Sequence, residues 1–389
     1  MHNFPAYQLR EDSISGVKDG GIGLYIHIPF CKTKCHYCDF NTYAGIVHLL
    51  PDYLDALANE LTLWGRALRS PLVSSVFLGG GTPSLVPPEL LAPVLEAVDR
   101  GFKVVNGAEM TVEANPDDVN EERMASFSAV GVNRLSIGVQ SLDDRLLHSL
   151  NRRHNATRAV EAYHCVRKMG FGNVSLDLMF GLPNQDLDDW RRTLERVVGM
   201  RPEHLSAYCL TLEVGTPMEE WVRKGFLPEP DPDLAADMYL LAEGILGDAG
   251  YDHYEISNWC LPGFESRHNL TYWRNSPYLG VGPGAHSYLG GNRFYNLASP
   301  TEYILRVQGC MERDVLSATM DESTLLVSGA VEAVEAISLE LEMGETAMLG
   351  LRLAEGISLE EFRLRFGKEF LEVFDGRVDE LVDAGLIYI

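Results

Sequence analysis

The sequence predicts an α/β protein that consists of a partial barrel of six parallel strands and a mainly helical C-terminal domain. Short β-rich runs alternate with longer segments of helical period through the first half of the 389-residue chain. This alternation is typical of βαβ units, whose right-handed crossovers roll a parallel sheet into an open or incomplete barrel. Polar or glycine-rich residues follow each run, as expected where parallel strands end at a shared site. An open doubly wound sheet is the competing topology, which the pattern alone does not exclude.

Each predicted strand runs into residues able to carry chemistry. The first strand leads into three closely spaced cysteines and the second into the sequence GGGTP. The third ends in Glu113, the fourth is followed by Gln140, the fifth carries Asp177 and the sixth carries Tyr208. In parallel α/β folds, ligands bind at the carboxyl ends of the strands, so these six signals predict a single site. The six strands span residues 23–28, 74–78, 109–113, 134–139, 174–179 and 204–210, and the helices between them span 51–68, 88–99, 121–129, 157–168 and 188–198.

The chain divides into four predicted regions. Residues 1–21 are expected to form a flexible N-terminal tail, because they lack the basic start and apolar block of a signal peptide. The partial barrel is assigned to residues 22–230 and ends in a linker, LPEPDP, at 227–232. Residues 231–298 form a connecting region, which contains a helix at 233–248 and then irregular or strand-like segments rich in glycine and aromatic residues. Residues 299–389 are predicted to be mainly helical, with a short strand at 386–389.

Composition and charge exclude several function classes. Apolar residues make up 46% of the chain, which is enough for a globular core, but no window approaches 18 uncharged apolar residues. No membrane segment is therefore expected. The net charge of −24 disfavours nucleic acid as a partner. Seven cysteines without an export signal indicate reduced thiols and a cytoplasmic location.

The cysteines Cys31, Cys35 and Cys38 are the most informative residues of the chain. Thiolates bind zinc and iron–sulfur clusters. A structural zinc site needs four protein ligands, so a distant fourth would have to complete this one. Three cysteines in one loop would leave one iron of a [4Fe–4S] cluster open to an exogenous ligand. The spacing favours such a cluster over zinc and over incidental cysteines, without excluding either.

The pattern C-x3-C-x2-C followed by GGGTP resembles the radical SAM superfamily. The resemblance implies that the open iron is chelated by the amino and carboxylate groups of S-adenosylmethionine (SAM). It also implies that one-electron reduction cleaves the sulfonium to a 5′-deoxyadenosyl radical. If SAM is cleaved, an electron donor such as flavodoxin or ferredoxin is required.

Further motifs resemble the coproporphyrinogen III dehydrogenase (HemN) group over nearly the whole chain. They are YIHIPFC, CDF, FLGGGTPS, VEANP, GVQS and DLMFGLP. Members of this group hold two SAM molecules. The match at Arg152 leaves a register slip to Arg153 open. The resemblance places Tyr25, Tyr37, Gly80 and Glu113 near the first SAM, and Gly81, Thr82, Gln140, Arg152 and Asp177 near the second.

Two departures point to the HemW-type haem chaperone branch of this group. Phe40 stands where the dehydrogenase has a fourth cysteine, and the N-terminal arm is short. That branch also carries an HNxxYW motif, found here at residues 268–273. The resemblance implies a haem site in which His268 is a candidate iron ligand and Tyr272 and Trp273 offer flat apolar faces. The alternative is that His268 is a hydrogen-bonded structural histidine, with His253 and His286 as rival ligands.

The sequence therefore predicts a haem chaperone that binds haem, a [4Fe–4S] cluster and SAM, and that delivers haem to an acceptor protein. The alternative is a radical enzyme, either an oxygen-independent coproporphyrinogen III dehydrogenase or a related radical SAM methyltransferase. Phe40 and the HNxxYW motif favour the chaperone.

Overall fold

The structure is a computed structural model that describes residues 21–316 and 328–389. Apart from Gly21, the predicted N-terminal tail lies outside the described residues. No helix in these two ranges is both long enough and apolar enough to cross a lipid bilayer.

The six predicted strands form and pair in parallel, in chain order. Three of them, Ile22–Ile28, Arg134–Gln140 and Val174–Phe180, bury nearly all of their side chains, as expected of strands covered on both faces. The prediction of an α/β fold with this core is confirmed. The strands are β1 (Ile22–Ile28), β2 (Leu72–Gly80), β3 (Lys103–Ala114), β4 (Arg134–Gln140), β5 (Val174–Phe180) and β6 (His204–Cys209).

Helices connect the strands and cover the sheet. Most begin at side-chain caps, such as Asn120, Asn155 and Asp186, each of which accepts a hydrogen bond from a backbone N–H of the first turn. Two of the connecting helices, Asp144–Ser149 and Pro217–Arg223, were not predicted. In order they are α1 (Leu50–Ala67), α2 (Pro88–Gly101), α3 (Glu121–Ala129), α4 (Asp144–Ser149), α5 (Ala156–Lys168), α6 (Leu187–Met200), α7 (Pro217–Arg223) and α8 (Pro232–Asp248).

The connecting region extends the same sheet at both edges. Beyond β6 lie two short antiparallel strands, and on the other side a seventh parallel strand pairs with β1. Three antiparallel strands follow beyond that one, so twelve strands of the described chain join a single sheet. The added strands are β7 (Asp252–Glu255), β8 (Asn258–Cys260), β9 (Tyr278–Val281), β10 (His286–Leu289), β11 (Asn292–Asn296) and β12 (Val331–Ala336). The short helix α9 (Arg267–Trp273) lies between β8 and β9.

The C-terminal region is mainly helical, as predicted. The strand predicted at 386–389 is wrong: this segment forms no strand, and Leu386, Tyr388 and Ile389 are each more than 70% exposed. An apolar run without a neighbouring strand has no ladder to join. The helices are α10 (Pro300–Leu316), α11 (Leu339–Gly350), α12 (Leu359–Phe366), α13 (Phe370–Val373) and α14 (Arg377–Asp383). The four-region division of the chain stays a prediction.

A buried carboxylate ties helix α1 to the later part of the chain. Glu60 is fully buried and accepts hydrogen bonds from the Tyr303 hydroxyl (2.6 Å), the Gly282 backbone N–H (2.8 Å), the Asn296 amide (2.8 Å) and the Ser328 hydroxyl (3.1 Å). Four donors satisfy a carboxylate that would otherwise be costly to bury. This network holds the edge strands against the barrel, and so fixes one wall beside the site described next.

Candidate cofactor site at the carboxyl ends of the strands

A cavity of about 510 Å³ opens at the carboxyl ends of the parallel strands. Its size is typical of a small-molecule or cofactor site. Of the residues assigned to cofactors from the sequence, Trp273 is missing from its lining, and so are the rival ligands His253 and His286. The predicted residues that line it are Tyr25, Cys31, Cys35, Tyr37, Cys38, Gly80, Gly81, Thr82, Glu113, Gln140, Arg152, Asp177, His268 and Tyr272.

The three cysteines lie in one loop, residues 31–38, called here the cysteine loop. The loop starts at the short strand Phe30–Cys31, which pairs in parallel with Tyr43–Ala44. Cys31 is buried, the other two are half-buried, and none of the three forms a disulfide. The Thr82 hydroxyl donates to the Cys31 Sγ at 3.7 Å. Burial raises the pKa of the Cys31 and Cys38 thiols, so a bound metal centre would be needed to hold them as thiolates.

In the described ranges, no three histidine, cysteine or acidic side chains are positioned to share one metal ion. A single zinc ion needs all its ligands about 2.0–2.3 Å from one point. An iron–sulfur cluster places a different demand on the loop, because each cysteine binds a different iron atom. The side-chain positions in the described ranges therefore concern sites for a single metal ion, and the [4Fe–4S] cluster stays a prediction.

Arg152 lies against the cysteine loop. Its Nη1 donates to the Cys35 Sγ at 3.4 Å and its Nη2 donates to the Gly138 carbonyl at 2.6 Å. The neighbouring Arg153 pairs with Asp118 at 2.8 Å. Arg152 is thus the arginine that contacts a loop cysteine, although both arginines line the cavity. The assignment of Arg152 to SAM stays a prediction. A buried guanidinium there offsets the negative charge that thiolates bring.

The loop Gly79–Gly81, called here the glycine loop, is required by the packing of the chain itself. Gly80 has φ +110°, and a Cβ there would clash with the imidazole of His27. A Cβ on Gly81 would lie 2.7 Å from the Phe30 carbonyl oxygen. The Gly81 N–H donates to the Ile28 carbonyl at 2.8 Å. A β-branched residue at 80 would therefore disturb the protein before any ligand binds, so this substitution does not isolate ligand contact.

Two half-buried carboxyl groups line the cavity. Glu113 accepts a hydrogen bond from the Gly80 N–H at 3.0 Å. Burial, and then the charge of Asp177, raise the pKa of Glu113 to about 7. Asp177 accepts from the hydroxyls of Ser136 (2.8 Å) and Ser175 (3.1 Å), while burial raises its pKa too. Two acids held at raised pKa values in one cavity are typical of a ligand site rather than of a structural network.

Gln140 has an unusual backbone conformation at the end of β4. Its φ is +65°, in the left-handed region that non-glycine residues rarely adopt, and the residue is 9% exposed. Such conformations persist where the surrounding structure imposes them, and they cluster at functional sites.

Aromatic rings form one wall of the cavity. Phe77 stacks between Tyr25 and His268, with ring centroids 6.2 Å and 5.1 Å away. The Tyr25 hydroxyl hydrogen-bonds to the Nδ1 of His27 at 3.0 Å. The Phe77 ring and the Glu113 carboxyl are neighbours, since a Cβ on Gly79 would lie 2.7 Å from the one and 3.1 Å from the other. Flat aromatic surface beside a carboxyl group suits a ligand with an aromatic base.

Helix α9 carries His268 into this wall. The buried carboxylate of Glu109 accepts hydrogen bonds at 3.1 Å from the backbone N–H groups of Arg267 and His268, so it caps the helix. The His268 Nδ1 hydrogen-bonds to the Ser75 hydroxyl and its Nε2 to the Tyr272 hydroxyl, both at 2.9 Å.

His268 is 2% exposed, and burial lowers its pKa to about 3. Both ring nitrogens are engaged, which is the arrangement expected of a structural histidine; iron ligation would have to break one of these bonds. Trp273 lies outside the cavity, where its ring packs under Arg352 at 5.3 Å. The predicted haem residues are therefore split: His268 and Tyr272 face the cavity and Trp273 does not.

Several lining residues were missed by sequence reasoning. Arg134 lies 3.9 Å from Glu109 and contributes to the cavity wall. His204 bonds to the hydroxyls of Ser175 (2.8 Å) and Tyr254 (2.9 Å). Arg134 and His204 begin β4 and β6, away from the strand ends where ligand residues are expected, so no local signal marked them.

Comparisons with known proteins agree with this architecture. Residues 25–197 match the family model of the Radical SAM superfamily, and residues 337–389 match that of the HemN C-terminal domain. "Coproporphyrinogen III oxidase (HemN) from Escherichia coli" shares the fold, with a TM-score of 0.78 and 21% identity, over 96% of this chain and 85% of that one. The fold and the site together define a radical SAM protein.

Curated relatives identify the family within the radical SAM superfamily. "Heme chaperone HemW" of Mycobacterium tuberculosis is 40% identical over 87% of this chain and 83% of its own length. The protein of the same name in Bacillus subtilis is 36% identical over 94% and 92%. "Radical S-adenosyl methionine domain-containing protein 1, mitochondrial" of Mus musculus is 38% identical over 94% and 81%. The chain belongs to the HemW heme chaperone family.

Proposed function

We propose that this protein binds haem and delivers it to an acceptor protein, and that it carries a [4Fe–4S] cluster with SAM. The observation that carries the proposal is the cavity in which the cysteine loop, the glycine loop and the two carboxyl groups meet. The heme chaperones to which the chain is similar over most of its length support the delivery of haem.

The residues of the cavity fit the proposed cofactors. The three loop cysteines hold the cluster, and the Arg152 guanidinium beside Cys35 balances its charge. When bound, the cluster and SAM supply one-electron chemistry, for which a flavodoxin or ferredoxin would be the electron donor. Glu113 accepts hydrogen bonds from SAM, and the rings of Tyr25 and Phe77 contact its adenine. The remaining SAM contacts are proposed for Tyr37, Gly80, Gly81, Thr82, Gln140, Arg152 and Asp177.

A radical SAM coproporphyrinogen III dehydrogenase is the second candidate, because the chain shares its fold over 96% of its length. Two sequence features weigh against it. Phe40 stands where that enzyme has a fourth cysteine, and it is 65% exposed. The HNxxYW motif at residues 268–273 resembles the chaperone branch instead. A related methyltransferase is less favoured on the same grounds.

The two candidates are separated by one experiment on the anaerobically reconstituted full chain. One sample receives haem alone, and the other receives coproporphyrinogen III, SAM and a reductant. The chaperone predicts that haem remains bound through gel filtration and that no carbon dioxide is released. Release of carbon dioxide without haem retention would replace the proposal with the dehydrogenase.

A further inference from the structure

A second cavity, of about 650 Å³, lies on the outer side of the cysteine loop. We call it the loop groove. One wall is the segment that follows the last loop cysteine, with Phe40 and Tyr43. The opposite wall is formed by β10, β11 and the residues after them, with His286, Tyr295 and Leu297. Nothing in the motifs predicted this groove, because its two walls are about 250 residues apart in sequence.

Exposed aromatic rings face the loop groove from both sides. Phe40 is 65% exposed and Tyr295 is 40% exposed. Large apolar side chains that stay in water on two walls of one groove indicate a surface that a ligand or partner covers. Their position favours a flat apolar ligand, since rings on facing walls offer stacking surface.

His286 supplies an imidazole to this groove that the protein does not use. Its ring stacks on Tyr295, its cross-strand partner, with centroids 5.1 Å apart and planes 27° apart. Among the described residues, neither ring nitrogen has a hydrogen-bond or ion-pair partner. The side chain is exposed, and burial of part of the ring, with Arg293 nearby, lowers its pKa. A neutral imidazole with open nitrogens is the form that binds iron.

The groove is built on the cysteine loop. Lys34, Phe40 and Thr42 line both this groove and the main cavity. The Asn41 amide fastens the segment to the opposite wall by donating to the carbonyls of Pro283 (2.9 Å) and Ala298 (3.0 Å). A ligand in the groove would therefore touch the segment that leaves the last cluster cysteine.

We propose that haem binds in the loop groove, with His286 as an iron ligand, Tyr295 supporting the imidazole by stacking on it, and the ring of Phe40 against the macrocycle. The assignment rests on the proposed function, because it names where the haem of a haem chaperone lies. It moves the ligand from His268, whose ring nitrogens are both engaged, to a histidine whose nitrogens are open. It also gives Phe40 a role at the position where the dehydrogenase has cysteine.

The charges around the groove orient the haem. Glu302 and Glu332 line one end, and both pair with Arg306, at 3.0 Å and 3.4 Å. Asp39 and Lys34 line the other, where the Lys34 ammonium donates to backbone carbonyls at 3.2 Å. Lys34 is the only lysine or arginine among the described residues that line the groove. The proposal therefore places the two carboxylates of haem beside Lys34 and the open mouth of the groove.

The test titrates ferric haem into the full purified chain and follows the Soret absorption. His286→Ala should shift the band and weaken binding at least about tenfold, since even outer partners of metal ligands contribute 10–100-fold to metal affinity. Added imidazole should restore the original spectrum. His164→Ala is the matched control, because His164 is also exposed and also contacts a tyrosine ring, 5.6 Å away.

The outcomes are distinct. A spectrum and affinity unchanged in His286→Ala, but altered in His268→Ala, would overturn the groove assignment and leave the proposed function standing. If the unaltered chain retains no haem, the proposed function fails instead. Phe40→Ser is a second variant, at a residue that does not ligate the iron. It should weaken haem binding without shifting the Soret band. Circular dichroism of each variant verifies folding.

Discussion

Glu113 is expected to destabilise the cofactor-free protein at neutral pH. Its pKa is raised from 4.5 to about 7 by burial and by the charge of Asp177. A carboxyl group whose pKa is higher in the folded than in the unfolded state binds its proton more tightly when folded. Its contribution to stability is therefore fully present below about pH 4.5, and is lost as the pH rises through 7.

The size of the effect follows from the pKa change, which corresponds to about 3 kcal/mol of unfolding free energy. Glu113→Gln removes the ionisation and keeps a side-chain oxygen to accept from the Gly80 N–H. We expect the variant to be more stable than the parent chain by about this amount near pH 8, and to differ little near pH 4.5. It should also bind SAM more weakly once the cluster is in place.

The assay is urea unfolding of cluster-free protein, under anaerobic reducing conditions, near pH 5 and near pH 8. Other groups titrate in this range, so the quantity to compare is the difference between parent and variant at each pH. A difference that does not grow with pH would refute the argument.

Glu60→Gln is the matched control for the loss of a buried carboxylate. Burial raises the pKa of Glu60 too, but its carboxylate also accepts hydrogen bonds from four donors. An amide would turn one acceptor into a donor facing other donors. This variant should therefore be destabilised by about 1–3 kcal/mol. If both variants gained stability, the gain at Glu113 would not be specific to its position in the cavity.

Three further predictions concern the cluster and the packing. Replacing any of the three loop cysteines by alanine should abolish the broad iron–sulfur absorption after reconstitution, whereas Cys260→Ala should retain it; stoichiometric zinc without iron would contradict this. Arg152→Gln should make the cluster harder to reduce, because a positive charge beside Cys35 stabilises the more negative state; an unchanged midpoint potential in a redox titration would count against it. Gly65→Ala should lower stability by about 1–3 kcal/mol in thermal unfolding, because its Cβ would lie 2.6 Å from the Gly101 Cα. Gly101→Ala, whose nearest contact would be 3.4 Å, should be closer to neutral.

The sequence by itself predicted the six parallel strands and the end of the sheet at which the cavity opens. Buried strands of a parallel sheet are continuous apolar runs, and the residues after them are polar or glycine, so both can be recognised locally. The cysteine spacing and GGGTP likewise lie within short segments, and they identified the radical SAM class. Each of these inferences needs only residues that are close together in the chain.

The tertiary structure alone decided which side chains meet. By sequence, His268 is either an iron ligand or a structural histidine, and only the structure shows that Ser75, 193 positions away, occupies one of its nitrogens. Arg152 and Arg153 are equivalent by motif, and only the fold shows which reaches Cys35. The loop groove joins Phe40 to His286 across most of the chain. Hydrogen bonds and ring contacts depend on positions in space, and chain folding brings together residues that no local pattern connects.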